Sequence, residues 1–145
     1  YKLAGRLELF GGLAARASFN TAFRAPALAQ SGYNASNTLI INGQQAIVRV
    51  AAVDSPAGRL AGATDLKAET SRNVSAGLTF AGRGLTATLD AYRIAVKDRI
   101  AISSTFQDAR ITNFLSANGQ AGFGAISYIT NAVDTTTEGV DLVIN

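Results

Sequence analysis

The chain has 145 residues, enough for one modest domain; 48% are hydrophobic and only 16% charged, against about a quarter charged in an ordinary soluble domain. It has no cysteine and no histidine, which excludes disulfides, thiolate chemistry, zinc sites of the usual ligands and a Ser-His-Asp triad. The net charge of +3 comes from scattered basic residues without a Lys/Arg run, so nothing points to nucleic acid as a partner.

The first predicted strand covers residues 1–9, with Tyr1, Leu3, Leu7 and Leu9 on one face and Lys2, Arg6 and Glu8 on the other. Phe10-Gly11-Gly12 turns the chain. Keeping Leu9 and Leu13 on one face predicts a three-residue loop with a glycine at φ > 0, and sets Glu8 diagonal to Arg16. The second strand, 13–24, alternates Leu13, Ala15, Ala17, Phe19, Thr21, Phe23 against Ala14, Arg16, Ser18, Asn20, Ala22, Arg24. That is the period of a strand between two different environments. It ends at Pro26, which lacks a ladder donor.

A long connection follows, over residues 25–68. Within it, Asn42-Gly43 between two apolar runs predicts a hairpin. Ser55, Pro56 and Gly62 predict a short helix with an N-cap, a first-turn proline and a glycine stop. The third strand, 70–80, sets Val74, Ala76, Leu78 and Phe80 apart from Asn73, Ser75, Gly77 and Thr79. After a tight turn at 81–84, the fourth strand carries Leu85, Ala87 and Leu89, then changes phase to Tyr92, Ile94 and Val96. This predicts a β-bulge near Asp90-Ala91, with Phe80 paired to Leu85 and Leu78 to Ala87. A second long connection, 103–127, holds Ile111, Phe114 and Leu115 at helical spacing before Gly119. A fifth strand, 128–145, aligns Val140, Leu142 and Ile144.

No run approaches the ~20 apolar residues of a membrane helix, so contact with lipid has to be made by strands. Strands joined alternately by short and long connections, with charge-free apolar faces, point to a transmembrane β-barrel. Tyr1 is not an initiator, and residues 140–145 are still alternating at the end. Both termini read as cuts inside strands, and the chain as a piece of a longer protein.

Four motifs in order carry a resemblance. The segment from Arg16 to Pro26, with Phe23-Arg24-Ala25-Pro26, resembles the "FRAP" strand of TonB-dependent outer-membrane receptors. Leu66-Lys67-Ala68-Glu69-Thr70-Ser71 is similar to their "LKPETS" segment, with alanine in place of proline. Tyr92-Arg93-Ile94-Ala95-Val96-Lys97-Asp98-Arg99-Ile100 resembles "YRIxIKDRI". Gly139-Val140-Asp141-Leu142 resembles "GVEL", with Asp141 for glutamate.

The resemblance implies an all-β, antiparallel transmembrane β-barrel segment. It would carry about five strands of a barrel of about twenty-two, with short helices in extracellular loops. Residues 1–145 would be part of the barrel domain, with the plug domain and the final strands absent. The implied setting is the cell outer membrane. The implied function is active uptake of a scarce nutrient of siderophore, cobalamin or glycan type. The implied partners are outer-membrane lipid, the nutrient, and TonB acting through the absent plug.

Loops on a rigid scaffold commonly carry function, so Tyr33, Arg49, Arg59, Gln107 and Arg110 are the candidate ligand contacts; the plainer reading of each is solvated loop polarity. Arg24, next to Pro26, reads either as a ligand contact at the extracellular mouth or, more plainly, as pinning a strand end through hydrogen bonds. Asp90, Asp98, Asp134 and Glu138 lack calcium-loop spacing, and the glycines at 119, 122 and 124 lack the Lys-Ser/Thr of a phosphate loop. No enzymatic role, cofactor or metal is expected. A passive porin-type barrel and a soluble all-β adhesin or passenger domain are the alternatives.

Overall fold

The structure, a computed structural model, describes residues 1–41 and 43–145. In chain order the elements are β1 (Lys2–Phe10), β2 (Leu13–Arg24), α1 (Leu28–Ser31), β3 (Ala35–Ile41), β4 (Gln44–Ala51), α2 (Pro56–Leu60), β5 (Glu69–Gly82), β6 (Leu85–Ile102), α3 (Ala109–Ala117) and β7 (Ala125–Ile144). They form two compact units: a strand unit of Tyr1–Arg24, Thr70–Lys97 and Asp134–Asn145, and a loop unit of Ala25–Glu69 and Asp98–Val133.

In the strand unit, β1, β2, β5, β6 and β7 lie side by side in that order. β1 meets β2 through a two-residue turn, Gly11-Gly12, with both glycines at positive φ (58° and 85°), as a type I′ turn requires. The pairing slips between Glu8 and Phe10. The extra residue expected in a three-residue loop is therefore a bulge at Leu9, inside the strand. β5 meets β6 through Arg83-Gly84, again with both φ positive. The expected pairing here is two residues off: Phe80 faces Ala87 and Leu78 faces Leu89.

The β5–β6 register runs without interruption from Thr70↔Lys97 to Gly82↔Leu85. The expected bulge at Asp90-Ala91 is absent. Tyr92, Ile94 and Val96 stay on the face of Thr88 and Asp90, and Arg93 and Lys97 join Leu89 on the apolar face. The phase change in the sequence is thus a change in what the polar face carries. The irregularity lies further on, where Asp98 takes a positive φ of 56°, a conformation that aspartate tolerates better than most residues.

The loop unit contains elements that raise the strand count from about five to seven. β3 and β4 form the hairpin expected between the two apolar runs, with Ile41 facing Gln44 and Gly43 at φ 79°; Asn42 lies outside the described residues. β4 then pairs parallel with β7, from Val48↔Ala125 to Ala51↔Tyr128. The sheet is therefore mixed and not purely antiparallel, because a hairpin inside a long connection has no constraint to alternate with the strands outside it.

Helix α2 is capped as expected, with Ser55 Oγ accepting from the Gly58 amide at 3.1 Å. Helix α3 is capped by Asp108, whose Oδ1 accepts from the Ile111 amide at 3.0 Å. Both end in the same way. Gly62 and Gly119 take positive φ, and the next residue's amide reaches back into the helix: Ala63 to Gly58 O at 2.9 Å, and Gln120 to Leu115 O at 2.8 Å. Ile111 and Leu115 are buried against Ala51, Ala57 and Ile126. A second cluster joins Val53, Ala63, Tyr128 and Ile129, and the Tyr128 ring stacks on Phe106 at 5.7 Å.

Candidate functional site: a two-faced wall and its loop unit

The strand unit has one apolar and one polar face. Backbone pairing of Ala81 with Gly12, side-chain pairing of Ser18 with Ser75 and Asn20 with Asn73, and the reciprocal bonds of Thr86 and Asn145 align the five strands. Leu7, Ala15, Leu78, Leu89 and Leu142 then follow one another across one face. Among the described residues no second layer covers them: Leu78 is 44% and Leu89 43% exposed, and Leu13 is half-buried. A soluble sandwich would bury this face.

The polar face is organised around two glycines. Arg16 on β2 reaches over Gly77 on β5 to Asp90 on β6, with Arg16 Nε donating to Asp90 Oδ1 at 2.9 Å. A Cβ on Gly77 would fall 1.9 Å from that carboxylate oxygen, so a side chain there would displace Asp90. The expected Glu8–Arg16 pair does not form. Glu8 binds Arg6 on its own strand at 2.8 Å, because Asp90 offers Arg16 two carboxylate oxygens across the glycine. Further along, the Tyr92 ring lies over Gly139, where a Cβ would come within 2.5 Å. The ring takes the place of the missing side chain.

The apolar face is not free of charge as expected. Arg93 lies on it, paired with Glu138 at 3.2 Å, and Arg72 and Lys97 follow towards the ends of the strands that run into the long connections. The charge-free band ends at Leu3, Phe19 and Val74.

In the loop unit, strands leave the regular ladder and side chains replace backbone partners. The Glu69 carboxylate accepts from the Ile100 amide at 2.8 Å. The Asn131 side chain accepts from the Lys67 amide at 2.8 Å and donates to Lys67 O at 3.0 Å and Asp98 O at 2.6 Å. Two of the four sequence motifs are thus tied together by side chain-to-backbone bonds. Glu69 was visible within its motif; Asn131, beside Thr130 in the fifth strand, carried no signal.

All five candidate ligand contacts fall in the loop unit. Arg49, on β4, donates to Gln120. Arg59, on α2, pairs with Asp65 and donates to Ala63 O at 3.2 Å. Arg110, at the start of α3, pairs with Asp108 at 3.1 Å. Tyr33 and Gln107 are exposed on connecting segments. Each arginine is held by a partner within the unit, and the five are not brought together into one cluster of mutual bonds. The Asp108 carboxyl is held below the usual carboxylate range, first by the Ile111 amide and then by Arg110.

All 145 residues match the family described as TonB dependent receptor-like, beta-barrel. The chain belongs to the TonB-dependent receptor β-barrel family. At the level of sequence alone, no curated protein matches it. Solved structures resemble it in fold. One is the siderophore receptor PirA of Pseudomonas aeruginosa (TM-score 0.66, 21% identity), which matches over 97% of this chain and 23% of its own. A mutant of the ferric enterobactin receptor PfeA from the same organism (TM-score 0.64, 23% identity) matches over 96% of this chain and 18% of its own. PirA of Acinetobacter baumannii (TM-score 0.62, 17% identity) matches over 99% and 20%. The chain spans about a fifth of the length of these family structures.

Proposed function

We propose that residues 1–145 form part of the barrel wall, with two extracellular loops, of an outer-membrane transporter that takes up a scarce nutrient with energy delivered through TonB. The observation that carries this reading is the uncovered apolar band that crosses five strands opposite a polar face. Such a sheet suits a wall with lipid on one side and an aqueous lumen on the other. The two-residue turns would face the periplasm, and the connections bearing α2, α3 and the β3–β4 hairpin would face outward. Family membership supports TonB-coupled transport. The solved relatives named siderophore and ferric enterobactin receptors support a ferric siderophore as the nutrient. The wall supplies a channel and a loop surface; energy coupling would belong to a plug domain elsewhere in the full protein.

The test is made in the full-length protein. Leu89→Arg places a cation in the apolar band at ~2–4 kcal/mol and should abolish outer-membrane assembly, whereas Thr88→Arg, on the polar face, should assemble normally. Equal tolerance of both would refute the facing. In an iron-limited host lacking its own receptors, the full gene should restore growth on a ferric siderophore only when TonB is present. TonB-independent uptake would favour the porin-type reading.

A further inference from the structure

We infer, on the barrel-wall reading, that the outer edge of β3 is a docking edge for an extended segment of the same protein from beyond residue 145, added as a parallel strand. In the loop unit, Ala125–Tyr128 of β7 has both of its edges filled. On one side Phe106 and Ile126 exchange two backbone bonds, at 2.8 and 3.0 Å, and the Ser103 amide donates to Tyr128 O at 2.7 Å. On the other side β4 pairs from Val48↔Ala125 to Ala51↔Tyr128, and the Gly124 amide donates to Ile47 O at 3.0 Å. The ladder passes from β4 to β3 and, among the described residues, stops there.

Three features point to that segment. First, β3 has nothing that guards an edge. Its seven residues, Ala35–Ile41, include no charge and no proline, and they pair with β4 without a bulge. Exposed edges are ordinarily blunted by lysine, proline or a bulge. Leu39 and Ile40 are exposed as well, Ile40 at 76%. Second, β3 stands on the side of β7 away from β6, the side on which an antiparallel wall adds its next strand. That strand cannot pair with β7 at Ala125–Tyr128, where β4 is already bonded, so the ladder open to it is that of β3. Third, residues 1–145 match only 23% and 18% of two solved family structures, so a wall of that kind has chain to supply. A tethered segment also has an effective concentration that a separate partner lacks. The direction follows from the pairing. β4 is parallel to β7, and β3 is antiparallel to β4. A strand antiparallel to β7 therefore runs parallel to β3, and main-chain bonds along the edge would hold it.

Hydrogen exchange at residues 35–41 of the full-length protein reads the edge. Successive amides of a strand point to opposite sides, so an open edge leaves every second amide fast. All should be slow, the outward set by on the order of a hundredfold relative to an open edge. Residues 1–145 hold no cysteine, so Ser36→Cys and Ile40→Cys, one at a time, can be combined with a cysteine scan of the segment after residue 145 and oxidised with diamide. Intramolecular disulfides should form, and the partner of Ile40→Cys should lie about four residues after that of Ser36→Cys, as parallel pairing demands. Fast outward amides in a barrel that assembles and transports would overturn the docking edge. A reversed order of partners, or disulfides that join two copies, would overturn the occupant and the inference with it. A full-length protein that forms no heat-modifiable barrel would overturn the wall reading, on which the inference rests.

Discussion

At the scale of single residues, the wall is organised by what its glycines leave out. Gly77 lets a guanidinium and a carboxylate from the strands on either side meet above it, and Gly139 receives a tyrosine ring. The first contact involves three strands and the second joins β6 to β7, so neither lies within a single hairpin. Gly139→Ala should lower the stability of the assembled barrel by about 1–3 kcal/mol through overpacking. Most of that cost should vanish in a Tyr92→Ala background. Urea unfolding of the four variants of this cycle measures the coupling; additive effects would show that the ring and the glycine act independently. Arg83 is the residue-scale exception among the turns, a non-glycine at φ 56°. Arg83→Gly should relieve a left-handed penalty of about 1 kcal/mol, visible in the same unfolding assay.

At the scale of elements, helices α2 and α3 of the loop unit are held by caps at both ends and by buried residues. Ser55→Ala removes the N-cap acceptor of α2 and should cost about 1 kcal/mol, read as faster amide exchange at Gly58. For α3 the cap is a carboxylate, which makes it sensitive to pH. The folded Asp108 carboxyl lies below its unfolded value, held there by the Ile111 amide and then by Arg110. Its contribution is therefore complete above the ordinary aspartate range near about 4. It is lost as pH falls through the lower folded value. Exchange at the Ile111 amide should accelerate across that acidic window in the wild type and lose this dependence in Asp108→Asn. Leu115 is fully buried, so Leu115→Ala should loosen α3 by about 2–5 kcal/mol.

At the scale of the whole molecule, two different kinds of stability coexist. The loop unit has buried clusters of its own. The strand unit has none of comparable kind on its apolar face, which stays exposed on both sides of the Leu78–Leu89 pair. Its β1 edge also offers unpaired backbone groups to any passing strand. Residues 1–145 expressed alone without detergent should therefore aggregate, and light scattering should show large species at micromolar concentration. A monodisperse monomer that unfolds cooperatively would mean that something other than lipid covers the band.

The sequence by itself determined which residues alternate in β2 and β5, the glycine pair at the first turn, the Ser55 cap, and the family. Those features depend on near neighbours: Gly11-Gly12 needs only its own φ angles, Ser55 needs only the amide three residues on, and Leu13 to Phe23 needs only a period of two. It also led to a bulge at Asp90-Ala91 that does not exist, since Tyr92 and Ile94 look lipid-facing until the unbroken β5–β6 register sets them beside Asp90. Tertiary structure alone decided the parallel β4–β7 pairing, the Arg16–Asp90 bridge, and the Asn131 tie to Lys67 and Asp98. Each of these joins residues tens of positions apart, and their partnership is set by register across several strands, a quantity that local chemistry does not encode.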